Sequence, residues 1–254
     1  MGEQSPARRR TAFVTGASYG IGAATALALV RDGFDVAVSA TRTANLSDIV
    51  VKLEAAGARV VPIALNLRSL PGIEQAADMV IKALGQVDVL VNNAGITLRK
   101  AALEVTPEEW EAVIQTNMTG TFFMSQKIGR HLIGSGRPGC IVNLASTHGV
   151  VGAAQRSVYG ISKAAIIHMT KMLAIEWAEH GIRVNAIAPG RVETRSRAGT
   201  LTDPKAREAT LNKVPLHRFG TAEEMADAVR YLVSPQAAYI TGHTLLLDGG
   251  LTAY

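Results

Sequence analysis

Tyr159 and Lys163 stand four residues apart in the run Tyr159-Gly160-Ile161-Ser162-Lys163. On a helix, positions i and i+4 share one face, so this spacing brings a phenol to an ammonium. A phenol is a weak acid at neutral pH, and a nearby cation favours its phenolate. Such a pair can pass a proton to or from a substrate oxygen. Ser146, thirteen residues earlier, offers a hydroxyl that can bond the same oxygen. Taken alone, Tyr-x-x-x-Lys also fits an amphipathic helix with a surface pair.

A second cluster suits a phosphate. The run Thr15-Gly16-Ala17-Ser18-Tyr19-Gly20-Ile21-Gly22 follows a short apolar stretch and leads into an Ala/Leu-rich one. Glycines between the first strand and first helix of a βαβ unit permit a tight turn, close approach of a pyrophosphate to the backbone, and close helix–strand packing. The phosphate then meets the positive end of the helix. The spacing differs from G-x-G-x-x-G, and without a Gly-Lys-Ser/Thr sequence it is not a Walker loop.

The next strand reads Val36-Ala37-Val38-Ser39-Ala40 and continues into Thr41-Arg42. An acid at its tip would bond the ribose 2′-hydroxyl of NAD. Asp35 lies at the wrong end, and Arg42 follows the tip directly. A guanidinium matches a phosphate in shape and charge. The sequence therefore favours NADP(H) over NAD(H), the alternative being a merely solvated Arg42.

The elements that must position these groups alternate. Strands are expected at 11–15, 36–39, 59–64, 87–91, 140–144, 182–188 and 245–247. Helices are expected at 21–31, 46–56, 73–84, from Pro107 onward, and at 158–179. Apolar strands alternating with helices predict a parallel sheet with helices on both faces in a single α/β domain. Residues 1–10 are read as a flexible lead and 11–254 as one dinucleotide-binding catalytic domain. The polar segment 191–219 follows the sixth strand at the carboxyl edge of the sheet, where ligands bind. It is read as a substrate lid, the alternative being an ordinary helical excursion on the surface.

Composition narrows the function classes. The 254 residues are 48% hydrophobic and 19% charged, enough apolar material for a real core. The net charge is +5, of which Arg8, Arg9 and Arg10 against Glu3 supply +2. The remaining cations are scattered among acids, so nucleic-acid binding is not expected. No stretch reaches the roughly 18–20 apolar residues of a membrane span. Met1–Arg10 has no apolar run behind its charges and does not read as a secretory signal. Cys140 is the lone cysteine, which fits a reducing, cytoplasmic setting. The six histidines show no metal-ligand spacing, and no metal is expected.

The motifs together resemble the short-chain dehydrogenase/reductase family over residues 11–250. The resemblance rests on Thr-Gly-x-x-x-Gly-Ile-Gly at 15–22, Asn-Asn-Ala-Gly at 92–95, Asn117, Ser146, Tyr159-x-x-x-Lys163 and Pro189-Gly190-x-x-x-Thr194. It implies a single-domain α/β Rossmann fold with a doubly wound, seven-stranded parallel sheet, a homotetramer, and hydride transfer between a nicotinamide cofactor and a ketone or secondary alcohol. It makes Tyr159 the general acid of ketone reduction and the base of alcohol oxidation. Lys163 would bond the nicotinamide ribose and favour the phenolate, and Ser146 would hold the substrate oxygen. Asn117 would anchor a water linking Lys163 to solvent. Thr194 would orient the carboxamide, Asn93 would brace the sheet edge, and Gly95 would clear space beside the cofactor. The cofactor would lie along Gly16, Ser18, Tyr19, Gly20, Ile21, Gly22, Thr41, Arg42, Asn66, Leu67, Asn93, Ala94, Gly95, Tyr159, Lys163, Pro189, Gly190, Val192 and Thr194. Tyr19 stands where many NADP-preferring members carry a basic residue, which leaves Thr41 and Arg42 to hold the phosphate.

Among members, the chain is similar to 3-oxoacyl-carrier reductases and to sugar or polyol dehydrogenases. The run Tyr239-Ile240-Thr241-Gly242 with Asp248-Gly249-Gly250 supports this. Candidate substrate contacts are His148, Gln155, Arg156 and Arg191, with Ile96 and Leu98 nearby. Arg130 and Arg137 are candidates for a basic carrier-protein patch, although Glu179-His180-Gly181 adds no arginine. The expected substrate is a small polar or acyl carbonyl compound. The alternatives are a 3-oxoacyl-carrier-protein reductase and, from another class, a non-catalytic dinucleotide-binding sensor or scaffold. The presence of Asn117, Ser146, Tyr159 and Lys163 together speaks against the last.

Overall fold

A computed structural model describes residues 8–193 and 203–253. Seven parallel strands form one sheet in the order β3-β2-β1-β4-β5-β6-β7. They are β1 (Thr11–Val14), β2 (Asp35–Ala40), β3 (Val60–Ala64), β4 (Val89–Asn92), β5 (Gly139–Leu144), β6 (Ile182–Pro189) and β7 (Thr244–Leu247). The order reverses between β1 and β4, the switch point at which open α/β sheets bind ligands.

Helices cover both faces, so the strands alternate between two apolar layers. Ala12, Val14, Val36, Val38, Val89 and Val91 pack on one layer with α1 (Gly20–Arg31) and its Leu29 and Val30. Phe13, Ala37, Leu90 and Ile141 face the other, against α3 (Leu70–Leu84), α5 (Gly120–Gly134) and α6 (Ser157–Trp177). The period-2 pleat thus persists although both faces are buried. The remaining described helices are α2 (Ser47–Ala55), α4 (Pro107–Ile114), α7 (Pro204–Leu211) and α8 (Ala222–Val233). None of the described helices is long and apolar enough to cross a membrane.

Local chemistry sets the ends of these helices. Ser69 caps α3 by accepting from the Gly72 N–H at 3.1 Å, with Pro71 in the first turn, and Gly85 closes it. The helix therefore starts at 70, three residues before the position expected from its apolar periodicity. Thr106 and Glu109 form a capping box ahead of α4, and Thr221 and Glu224 another ahead of α8. The helix expected to run on from Pro107 is interrupted by a π-helical turn at Gln115–Thr119. The α8 helix, unread in the sequence, buries Met225, Val229 and Leu232 in the core.

The arginines assigned to the lead are bonded to the body of the domain. Arg8 pairs with Asp88, Arg9 donates to the Gly33 and Gly57 carbonyls, and Arg10 donates to the Val233 carbonyl and lies over the Phe34 ring. The expected lid is helical over 204–211, and Leu211, Val214 and Phe219 are buried. Residues 194–202 lie outside the described residues.

Candidate active site

The glycine run after β1 bends back over the sheet. Gly16 has φ +66°, a left-handed conformation that suits glycine. Gly22 is fixed by proximity instead. A methyl group there would press on the Gly16 carbonyl and lie 2.5 Å from Asn93 Nδ2. Asn93 clamps this turn to β4 by donating to the Thr15 carbonyl at 2.9 Å and the Gly16 carbonyl at 2.8 Å. Thr15 Oγ1 in turn accepts from the Asn93 and Ala94 N–H groups. The N-cap of α1 is Tyr19, whose side chain makes no capping bond. The first N–H groups of α1 are thus left without a side-chain cap, as an anion-binding helix end requires.

A cleft of about 680 Å³ opens along this turn at the carboxyl edge of the sheet. Its wall includes Gly16, Ser18, Tyr19, Gly20 and Ile21 from the turn and Thr41 after β2. Asn66 and Leu67 after β3 line it too, as do Asn93, Ala94 and Gly95 after β4, and Pro189, Gly190 and Val192 at the end of β6. Ser146, Tyr159 and Lys163 line the same cleft. Groups that are far apart in the chain therefore meet because β1, β4, β5 and β6 all end at one edge. The volume, the uncapped helix end and the glycine turn fit an extended dinucleotide.

Two expected cofactor residues stand apart from this wall. Gly22 packs behind the turn, and Arg42 is exposed at the start of the short 3₁₀ turn Thr43–Leu46, beside Thr41. Thr194 lies outside the described residues. Sequence reasoning missed Asn45 and Arg68, which line the cleft at the β2–β3 end. Arg68 directly follows the Asn66-Leu67 pair, and that adjacency was the available signal.

The reacting end is tightly bonded. Ser146 is extended, and its Oγ accepts from the His148 N–H at 3.2 Å, which leaves the hydroxyl proton free to point elsewhere. Lys163 is buried and its Nζ donates to the Leu144 carbonyl at 2.5 Å. That nitrogen lies 5.8 Å from the centre of the Tyr159 ring. Burial pulls the Lys163 ammonium below the ordinary lysine pKa, while the neighbouring Tyr159 pushes it the other way. Asn117, 1% exposed in the π-helical turn, bonds the backbone of Ile96 twice. Its Oδ1 accepts from Ile96 N at 2.8 Å and its Nδ2 donates to Ile96 O at 2.9 Å. The side-chain amide thus satisfies a loop peptide that has no strand partner. Gly95 lies against both Asn117 and Lys163.

The four expected substrate contacts are absent from the cleft wall. His148 packs edge-on to the Tyr159 ring at 6.1 Å. Gln155, with φ 60°, accepts from Arg99 Nε, and Arg156 donates to the Leu98 carbonyl. Both tie the 98–100 loop to the start of α6. Arg191 lines a separate cavity of about 510 Å³ with Pro215, Leu216 and Arg218. No described residue of 203–219 lines the dinucleotide cleft. Arg137 bonds Gln86 at the amino edge of the sheet, opposite the cleft, and Arg130 lies near the end of α5 leading to the same edge.

A family model described as enoyl-(acyl carrier protein) reductase matches residues 16–252. A 3-oxoacyl-[acyl-carrier-protein] reductase of Thermotoga maritima is 38% identical over 245 residues, which are 95% of this chain and 97% of that one. The crystal structure of a short-chain type dehydrogenase/reductase of Mycobacterium marinum superposes with TM-score 0.91 at 34% identity, covering 96% of each chain. An actinorhodin polyketide ketoreductase variant solved with NADPH superposes with TM-score 0.92 at 36% identity, covering 97% of this chain and 98% of that one.

Proposed function

The chain belongs to the short-chain dehydrogenase/reductase family and is an NAD(P)-dependent oxidoreductase, and from that premise we propose that it reduces a ketone on a small polar or acyl substrate with NADPH. The observation that carries this reading is the convergence of Ser146, Tyr159 and Lys163 on the cleft that holds the glycine turn.

Bound nicotinamide supplies the hydride. The substrate carbonyl oxygen is held by the Ser146 hydroxyl, whose lone pair is already engaged by the His148 N–H. As negative charge develops on that oxygen, Tyr159 gives it a proton. The Lys163 ammonium favours the phenolate left behind. Asn117 anchors a water through which the proton is replaced, and Asn93 braces the phosphate turn. In alcohol oxidation the same groups work in reverse, with Tyr159 as base. Thr194 keeps its proposed role on the carboxamide and 191–219 its role as lid, with Val192 at the cleft.

The NADPH preference rests on the absence of an acid at the β2 tip and on Arg42 beside Thr41. A 3-oxoacyl-carrier-protein reductase is the second reading, favoured by the Thermotoga relative. The position of Arg137 and Arg130, away from the chain's own cleft, supports a free small molecule instead. We further propose a homotetramer, supported by exposed apolar Ile161, Met172 and Ile175 along one side of α6, and a cytoplasmic location, supported by the single cysteine.

Fluorescence titration with NADPH and NADH tests the cofactor reading. A panel of ethyl acetoacetate, cyclic ketones, sugars and a 3-oxoacyl thioester tests the substrate. Tighter NADPH binding and turnover of small ketones are expected. Tighter NADH binding, or turnover confined to carrier-bound thioesters, would contradict the proposal.

A further inference from the structure

We propose that Ser162 is a positioning residue for the Tyr159–Lys163 pair, a role that rests on the reading of that pair as the proton-transfer centre. Ser162 lies between them in the sequence and is 0% exposed. Its Oγ donates to the Tyr159 carbonyl at 2.8 Å and accepts from Asn117 Nδ2 at 3.0 Å.

The proton arrangement here has one solution. The Ile96 N–H needs an acceptor and the Ile96 carbonyl needs a donor, so Asn117 must present Oδ1 to the first and Nδ2 to the second. A flipped amide would set N–H against N–H and oxygen against oxygen. The second Nδ2 proton then points to Ser162, whose own proton is left for the Tyr159 carbonyl. In the helix ladder that carbonyl also receives the Lys163 N–H. One hydroxyl therefore links the π-helical turn to the peptide that sets Tyr159 and Lys163 in register.

The link reaches the chemistry through a shared point. A methyl group built on Gly95 would lie 3.1 Å from Asn117 Oδ1 and 3.6 Å from Lys163 Nζ. Asn117 and the ammonium thus face one small space, and the Ser162 bridge fixes how far apart they stand. Helix formation does not call for this residue, because alanine is the better helix former at a buried interior position. A serine here is explained by what its oxygen holds.

The test is a kinetic cycle in the full-length chain, using the panel ketone that the wild type reduces fastest. The variants are Ser162→Ala, Ser162→Cys, Asn117→Ala, Asn117→Ala with Ser162→Ala, and Tyr159→Phe as control. Ser162→Ala should lower kcat at saturating NADPH about tenfold, the scale of one to two neutral hydrogen bonds. The NADPH Kd should stay within about twofold. Ser162→Cys, similar in shape but a poor hydrogen-bonding group, should fall with alanine. In the Asn117→Ala background the extra loss should shrink to under about twofold, because the bridge is already broken. An unchanged kcat in Ser162→Ala or Ser162→Cys would overturn the inference. An equal loss in both backgrounds would overturn it too, as would an effect confined to melting temperature or to NADPH binding. Retained turnover in Tyr159→Phe, or no wild-type turnover on the panel, would instead remove the reading on which the inference rests.

Discussion

Gly22→Ala is the sharpest structural perturbation available, because it adds one methyl where backbone stands on two sides. The new Cβ would press on the Gly16 carbonyl, lie 2.5 Å from Asn93 Nδ2 and 3.0 Å from Ala17 Cα. The two backbone contacts cannot retreat, and Asn93 can do so only by giving up its own hydrogen bonds. The overpacking costs about 1–3 kcal/mol. Pushing Asn93 aside also weakens its bonds to the Thr15 and Gly16 carbonyls, each worth about 1 kcal/mol. The sum, about 3 kcal/mol, corresponds to a melting temperature lower by roughly 6–12 °C in a domain of this size. The displaced turn is also the proposed phosphate site, so NADPH should bind at least about tenfold more weakly. Gly134→Ala is the matched control. It ends α5 and has open space where its Cβ would go, so its stability should hold or rise by up to about 1 kcal/mol. Thermal melts and NADPH titration of both variants read the contrast. A Gly22→Ala chain that melts and binds like the wild type would refute the packing argument.

Three other outcomes follow from the same geometry. Thr221→Ala removes the hydroxyl that accepts from the Glu224 N–H at 3.1 Å and should cost about 1 kcal/mol by denaturant melt; no change would mean the α8 capping box is idle. Burial lowers the Lys163 pKa in the folded chain, so the unfolded chain binds that proton more tightly and the lysine's contribution to stability rises with pH toward its unfolded value. The melting temperature of wild type minus that of Lys163→Met should therefore increase from neutral pH upward, and a decrease would contradict the burial argument. Arg42→Ala should weaken NADPH far more than NADH in the titration, whereas equal effects would show that Arg42 does not read the phosphate.

Much of this architecture is legible in the residues. The strands 11–14, 60–64 and 182–189 announce themselves as apolar runs, and the 15–22 turn by its glycines. Their meeting at one edge follows from parallel pairing alone. The misses have identifiable causes. The π-helical turn at Gln115–Thr119 leaves no mark in apolar periodicity, because its stabilising bonds come from a distant peptide at Ile96. The α8 helix carries a Thr-x-x-Glu box and a helical apolar pattern that were readable. Arg137 was placeable from the sequence: it directly precedes the strand expected at 140–144, and in a parallel sheet the turn before a strand lies at the amino edge, away from the cleft. Ser162 was hidden inside the Tyr-x-x-x-Lys motif, where the spacing draws attention away from the intervening residues.

The central claim is that Tyr159 performs proton transfer to a carbonyl oxygen in a cleft that binds NADPH independently of it. The most direct measurement is the steady-state rate and NADPH Kd of Tyr159→Phe, which removes one oxygen and leaves the ring in place. The account predicts that kcat falls by about 10²–10⁴ while the Kd stays near that of the wild type. A Tyr159→Phe chain that still turns over ketone at the wild-type rate would contradict it.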